Sequence, residues 1–255
     1  MEMSNFPYLS HINDHDIKLV NGDIFTMFKI DGFSYETKSY QQLHTLKQYR
    51  ADMYRQLGSR FVVNVYYDRH EVEERQPPVT SNEFTNSFNE RYYKKLSSEK
   101  IFKNDIYISL LVRKISPSDP IFTRIKHTFF RTDNEEQMLS ELDNAVAMFK
   151  EYLQDSRPER LGIYHKNEMT YSKTVNFLGY LTNLEKVEIP LYNTEIRNYL
   201  SFSRKVFMTD GTIKFHHPNG QISASAIYSL PNATYPENSD HTMLDEFLKV
   251  DHPLI

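Results

Sequence analysis

The stretch IKLVNGDIFTMFKI, residues 17–30, decides how the rest of the chain is read. Residues 17–20 and 24–30 are short β-prone runs. Asn21-Gly22 between them is a strong hairpin signal, because both residues tolerate positive φ. Asp31-Gly32 closes the second run. The last third of the chain repeats this chemistry. Residues 205–208, 212–216 and 221–230 predict a three-stranded meander, with tight turns at Asp210-Gly211 and Pro218-Asn219-Gly220.

Between the two hairpin regions the periodicity changes. Residues 39–57 predict a helix with Tyr40, Leu43, Leu46 (or Lys47), Tyr49, Met53 and Leu57 near one face and Gly58 as its C-terminal cap. Residues 60–67 predict a strand. Gln76-Pro77-Pro78 breaks the chain, and Thr80 or Ser81 can cap a helix running to about Leu96. Residues 105–114 predict a buried strand. Asp133 can cap a helix to Leu153 that buries Met138, Leu139, Leu142, Val146, Phe149 and Leu153. A strand is expected at 161–165, helices at 170–184 and 242–250, and no clear element at 121–131. The expected fold is α+β, with mixed, mainly antiparallel sheets, packed helices and a closing three-stranded meander. Residues 1–255 read as one domain, with subdomains 1–116 and 117–255 if Ser116-Pro117-Ser118-Asp119-Pro120 is a boundary.

The apolar fraction of 39% and charged fraction of 25% suit a globular protein with a sizeable core. Tyr 18 and Phe 17 with no Trp make it aromatic-rich, which fits half-buried sheet faces, wet interfaces or simply an AT-rich genome. The net charge of −4 gives no general attraction to nucleic acid or anionic lipid, so no direct nucleic-acid binding is expected. The absence of Cys excludes disulfides and thiolate metal sites. Residues 1–10 lack the features of a secretory signal, and the apolar run 107–112 is far short of the roughly 20 residues that span a bilayer.

The motif inventory is mostly negative. The seven glycines, Gly22, Gly32, Gly58, Gly162, Gly179, Gly211 and Gly220, include no pair with the phosphate-loop spacing, and none precedes a lysine. Neither G-x-x-x-x-G-K-[ST] nor G-x-G-x-x-G can be formed. His11 and His15, with Asp14 and Asp16, could supply half a metal site on a helix. Ahead of a strand, and without the H-E-x-x-H glutamate, they read as a solvated loop. His216-His217 reads as a surface pair with one ring on each strand face. Glu71, Glu73 and Glu74, and Asn134-Glu135-Glu136, read as loop edges and a helix start. No catalytic, cofactor-binding or metal residue is assigned.

The central segment carries a resemblance. Phe88-x-x-Arg91-Tyr92-Tyr93 followed by Phe102-x-Asn104-x-x-Tyr107-Ile108-Ser109-Leu110 resembles the F-x-x-x-Y … F-x-N-x-x-Y-[LI]-[TS]-L pattern of CagE/TrbE/VirB type IV secretion (conjugation) ATPases. Phe28-Lys29-Ile30-Asp31-Gly32, Asn176-Phe177-Leu178-Gly179-Tyr180-Leu181-Thr182-Asn183 and Met243-Leu244-Asp245-Glu246-Phe247-Leu248 are similar to further family elements in the same order. The resemblance implies an N-terminal region whose RecA-like ATPase domain, with ATP and magnesium, lies beyond residue 255. The sequence then reads as a truncated chain or half of a split gene.

On that resemblance the chain is expected to be a docking and assembly domain that does not itself hydrolyse ATP. The full-length protein is implied to energise pilus biogenesis and transfer of DNA or protein. The implied location is the bacterial cytoplasm at the inner-membrane face, reached through partners. The implied partners are other inner-membrane secretion subunits, with self-association of the full-length protein. A stand-alone, non-enzymatic adaptor of a secretion complex is the alternative, and an enzyme with an unrecognised polar pocket a further one.

Overall fold

The computed structural model describes residues 6–32, 37–72, 80–96, 100–114, 135–229 and 253–255. The expected boundary at 116–120, the stretch 121–131, the cap at Asp133, the closing helix at 242–250 and residues Glu73, Glu74 and Asn134 lie outside them. Two compact units are formed, Met1–Val65 with Tyr107–Tyr228 and Tyr66–Ile106 with Ser229–Ile255. The α+β expectation holds, with antiparallel sheets and a closing meander.

In the first unit, β1 (Tyr8–His11), β2 (Ile17–Leu19) and β3 (Ile24–Ile30) pair as successive antiparallel strands. The turn between β2 and β3 is slightly wider than Asn21-Gly22 alone. Leu19 N–H donates to the Asp23 carbonyl at 2.8 Å, Gly22 takes φ 87°, and Asn21 Oδ1 accepts from Asp23 N–H. β1 was not anticipated, because Tyr8-Leu9-Ser10 is too short to show a period. The sheet order is β1-β2-β3-β5-β4, where β4 is Phe61–Glu71 and β5 is Phe102–Val112. β6 (Glu159–Arg160) also pairs with β3, through Phe28–Arg160 and Lys29–Glu159. Being central, β3 buries all but one of its side chains.

Helix α1 (Tyr40–Leu57) starts with a capping box, Ser39 and Gln42 each bonding the other's backbone N–H. Only its last turns bury apolar side chains, at Met53 and Leu57; Tyr40 and Tyr49 are exposed, so the expected face holds only at that end. Helix α3 (Glu135–Tyr152) buries Met138, Leu142, Ala145, Val146 and Phe149. Phe149 stacks on Phe28 of β3 at 5.3 Å between centroids. Burying such a side chain contributes about 1.5–3 kcal/mol relative to exposure.

Residues expected as one helix at 170–184 divide in two. β7 (Ile163–Lys166) and β8 (Met169–Ser172) form a hairpin whose turn residues Asn167 and Glu168 both take positive φ. Ser172 then caps α4 (Lys173–Asn183), its Oγ accepting from Val175 N–H. β-branched and aromatic residues at 170–171 favour the strand, and the cap sets where the helix begins. β9 (Arg204–Phe207), β10 (Thr212–His216) and β11 (Ile222–Ala226) form the expected meander, with Gly211 and Gly220 at φ 85° and 84° in its turns.

The second unit contains the outer halves of β4 and β5, α2 (Glu83–Leu96) and the bridge from Arg69 to Leu254. Asn82, rather than Thr80 or Ser81, caps α2, its Oδ1 accepting from Phe84 and Thr85 N–H. Thr80 is instead bonded to Asn86. Among the described residues no helix is long and apolar enough to cross a membrane.

A buried ion pair fastens the first unit. Asp16 is fully buried and receives Arg160 Nη2 at 2.7 Å and Asn13 Nδ2 at 2.8 Å. Arg160 also donates to Thr26 Oγ1 at 3.0 Å and pairs with Asp143 at 3.2 Å. Removing one partner strands the other charge out of water, at a cost of about 3–5 kcal/mol. Arg160→Ala is therefore expected to lower the unfolding free energy by about that amount in urea titrations. The exposed pair Arg55–Asp52 serves as the control, with Arg55→Ala costing about 0–1 kcal/mol.

Candidate functional site

Residues from three of the motifs that carry the family resemblance meet inside the first unit. Tyr107 of β5 stacks on Phe177 of α4, with ring centroids 3.9 Å apart and planes 24° from parallel. Lys29 of β3 places its ammonium 5.5 Å from the same Tyr107 ring. Three separate motifs thus converge on one aromatic ring. Asn183, closing the α4 motif, is fully buried and uses its whole amide. Its Nδ2 donates to the carbonyls of Gly179 and Leu200, both at 2.8 Å, and its Oδ1 accepts from Phe202 and Ser203 N–H, both at 3.0 Å. Leaving such buried groups unpaired costs about 1–3 kcal/mol each. Gly179 is a close approach, since a Cβ there would lie 2.3 Å from Ile189 Cδ1.

Asn183 begins a polar chain into the meander. Ser203 Oγ lies 3.0 Å from His217 Nδ1, and His217 Nε2 lies 2.8 Å from Ser223 Oγ. Glu185 Oε2 is 3.1 Å from the same Nδ1, without hydrogen-bond geometry. Of the pair read as a surface feature, His216 is exposed but His217 is buried, because β10 turns its odd-numbered side chains inward. Ser223, His217 and Glu185 follow the order of an acyl-transfer triad, but Ser203 occupies the Nδ1 position that the carboxylate needs. The arrangement clamps the meander to the end of α4.

Beside this clamp lies a groove of about 750 Å³ with Val187, Pro190, Tyr192, Tyr199 and Phe202 in its walls. Tyr192 and Tyr199 meet edge to face, and burial pushes the Tyr199 hydroxyl above its ordinary pKa. Two further surfaces expose apolar side chains. α2 presents Phe84, Phe88 and Tyr92 at helical spacing. The meander presents Ile222, Ile227 and Tyr228 on and after β11, with Tyr228 93% exposed.

Gly22, Gly211 and Gly220 sit in strand turns, Gly58 follows α1, and Gly162 and Gly179 sit where a Cβ would clash.

The His11–Asp16 turn is not the solvated loop expected of it. Asn13 Oδ1 accepts from His15 and Asp16 N–H, at 2.9 and 2.8 Å. His15 Nδ1 donates to the Leu161 carbonyl at 3.0 Å. His11 Nδ1 is 3.1 Å from the Asn13 carbonyl, so it carries the proton, and Nε2 accepts from Ser172 Oγ at 2.9 Å. Both rings serve as clamps onto β6–α4. No local pattern announces this, because the partners are about 150 residues away in sequence.

Burial pushes the His11 pKa below the ordinary 6.5, against the opposing pull of the Asn13 carbonyl, Asp16 and Asp14. As pH falls, the unfolded chain takes up this proton before the folded one. Stability held by the neutral ring is complete above about pH 6.5 and declines as pH falls from there through the folded-state pKa. Urea midpoints measured from pH 7.5 to 5 should fall, and His11→Gln should flatten that slope.

Residues 16–118 match the family described as type IV secretion system ATPase VirB4/TrbE, N-terminal domain. Residues 159–255 match the CagE, TrbE, VirB family, component of type IV transporter system. The chain is 23% identical over 252 residues to type IV secretion system protein virB4 of Bartonella henselae, covering 94% of this chain and 32% of that protein. It is 21% identical over 255 residues to protein virB4 of Agrobacterium fabrum, covering 98% of this chain and 31% of that protein. The chain spans about a third of the length of these curated relatives. It belongs to the VirB4/TrbE family of type IV secretion proteins and corresponds to the family's N-terminal part.

Proposed function

We propose that this chain is the docking and assembly part of a type IV secretion ATPase, with ATP binding and hydrolysis carried by the remainder of the full-length protein. In this reading it binds other inner-membrane subunits of the system and is held at the cytoplasmic face through them. The full-length protein would oligomerise and energise pilus biogenesis and transfer of DNA or protein.

The observation that carries the docking reading is β11. Its only strand partner among the described residues is β10, so its other edge offers backbone groups for pairing. Ile222, Ile227 and Tyr228 stand exposed along it, and its sequence ISASA brings no charge to blunt the edge. β9, at the opposite edge, carries Arg204 and Lys205. Together these make β11 suited to take a partner strand.

Two experiments test the reading. Ile222→Lys with Tyr228→Lys alters exposed positions only, so folding should be kept. Site-specific cross-linking of the full-length protein in its native membrane should lose adducts to other secretion subunits in this variant; undiminished adducts would remove β11 as the docking edge. Calorimetry of the present chain with ATP and magnesium should show no binding. Tight, magnesium-dependent binding would overturn the proposed division of labour.

A further inference from the structure

The second unit contains an ionisable cluster that neither the family resemblance nor the docking reading uses. Val72 N–H donates to the Ile101 carbonyl at 2.8 Å, and Arg69 Nη1 reaches Asn104 Oδ1 at 3.4 Å. That register of β4 on β5 sets Asp68 directly opposite Asp105. Strand alternation then brings His70 and Lys103 to the same face. Asp68 is fully buried and Asp105 nearly so. Like charges directly opposed on a sheet are destabilising, and burial raises the cost. A cation is the natural third member of such a pair.

The neighbouring side chains point the same way. His70 Nδ1 lies 3.1 Å from Asp68 Oδ2, yet it is buried and has no hydrogen-bond partner. Its imidazole therefore presents a ligand nitrogen to the carboxylates. One atom each from Asp68, His70 and Asp105 lie within 4.8 Å of one another. Zinc at about 2.0–2.2 Å from nitrogen and oxygen ligands needs them about 3.4 Å apart, a contraction that small side-chain rotations provide. Lys103 Nζ sits 3.1 Å from Asp105 Oδ1, but that side chain is 58% exposed and free to swing into water.

We infer that Asp68, His70 and Asp105 bind a divalent transition-metal ion of the zinc class. The mixed nitrogen and oxygen donors favour such an ion over magnesium or calcium, which prefer oxygen alone. Three protein ligands leave the fourth position to water. The ion replaces Lys103 as the counter-charge of the two carboxylates and ties β4 to β5.

Zinc titration of the chain by calorimetry, with the His70 imidazole followed by nitrogen NMR, tests this. One saturable equivalent is expected, with Nδ1 shifting as a metal-bound nitrogen. Asp105→Asn and His70→Ala should each weaken it at least tenfold, with far-ultraviolet circular dichroism reporting their fold. Lys103→Ala, at an exposed position, should tighten zinc severalfold by removing the competing cation. His216→Ala should change nothing. Absence of saturable binding, or binding insensitive to Lys103→Ala and to those ligand variants that fold, overturns the proposal and leaves the cluster as an ion-paired Asp68–His70 and Asp105–Lys103 set.

Discussion

The Asp16–Arg160 pair is the constraint on which the first unit hangs. Asp16 has no exposed surface, so its charge is tolerable only while Arg160 and Asn13 remain in place. Arg160 must therefore sit on β6, and β6 must lie against β3, where Phe28 is its strand partner. Phe28 in turn stacks on Phe149 of α3. The guanidinium reaches Thr26 on β3 and Asp143 on α3, so one side chain spans the turn, the sheet and the helix. Packing alone would hold these elements near one another. The directional bonds to Asp16 and Thr26 fix which register they take.

The same logic applies where the motifs of the family resemblance meet. Tyr107, Phe177 and Lys29 form one contact, and Asn183 satisfies four backbone groups at once. A side chain with four committed hydrogen bonds tolerates few replacements, because each alternative leaves buried donors or acceptors unpaired. Such residues mark how the chain is built rather than what it binds. Phe88 and Tyr92 differ: they belong to the resemblance yet stand exposed on α2.

What the sequence made legible was local. Turn chemistry placed the β2–β3 and meander hairpins, Ser39 and Gly58 bracketed α1, and the apolar stripe of α3 chose its buried face. What it hid depends on partners remote in the chain. His11 and His15 look polar and loop-bound until Ser172 and the Leu161 carbonyl arrive beside them. His217 looks like half of a surface pair until β10 turns it onto Ser203 and Ser223. Asp68 and Asp105 lie on either side of α2 in sequence, and only the strand register makes them neighbours. The β7–β8 turn was missed differently: Asn167-Glu168 takes the left-handed conformation of a tight hairpin without the glycine that usually advertises it.

Edges give the last contrast. The outer part of β4 is closed by the chain itself, since Arg69 and Leu254 exchange both backbone hydrogen bonds, at 2.7 and 2.9 Å. β9 carries two cations that discourage a neighbouring strand. Among the described residues β11 has neither protection, and the residues that follow it, Ile227 and Tyr228, are among the most exposed apolar side chains. Exposed apolar area beside an unblunted edge favours aggregation unless something covers it. The proposed docking would remove that liability on assembly. The uneven protection of these edges is the physical ground for proposing the meander, rather than the six-stranded sheet, as a docking surface.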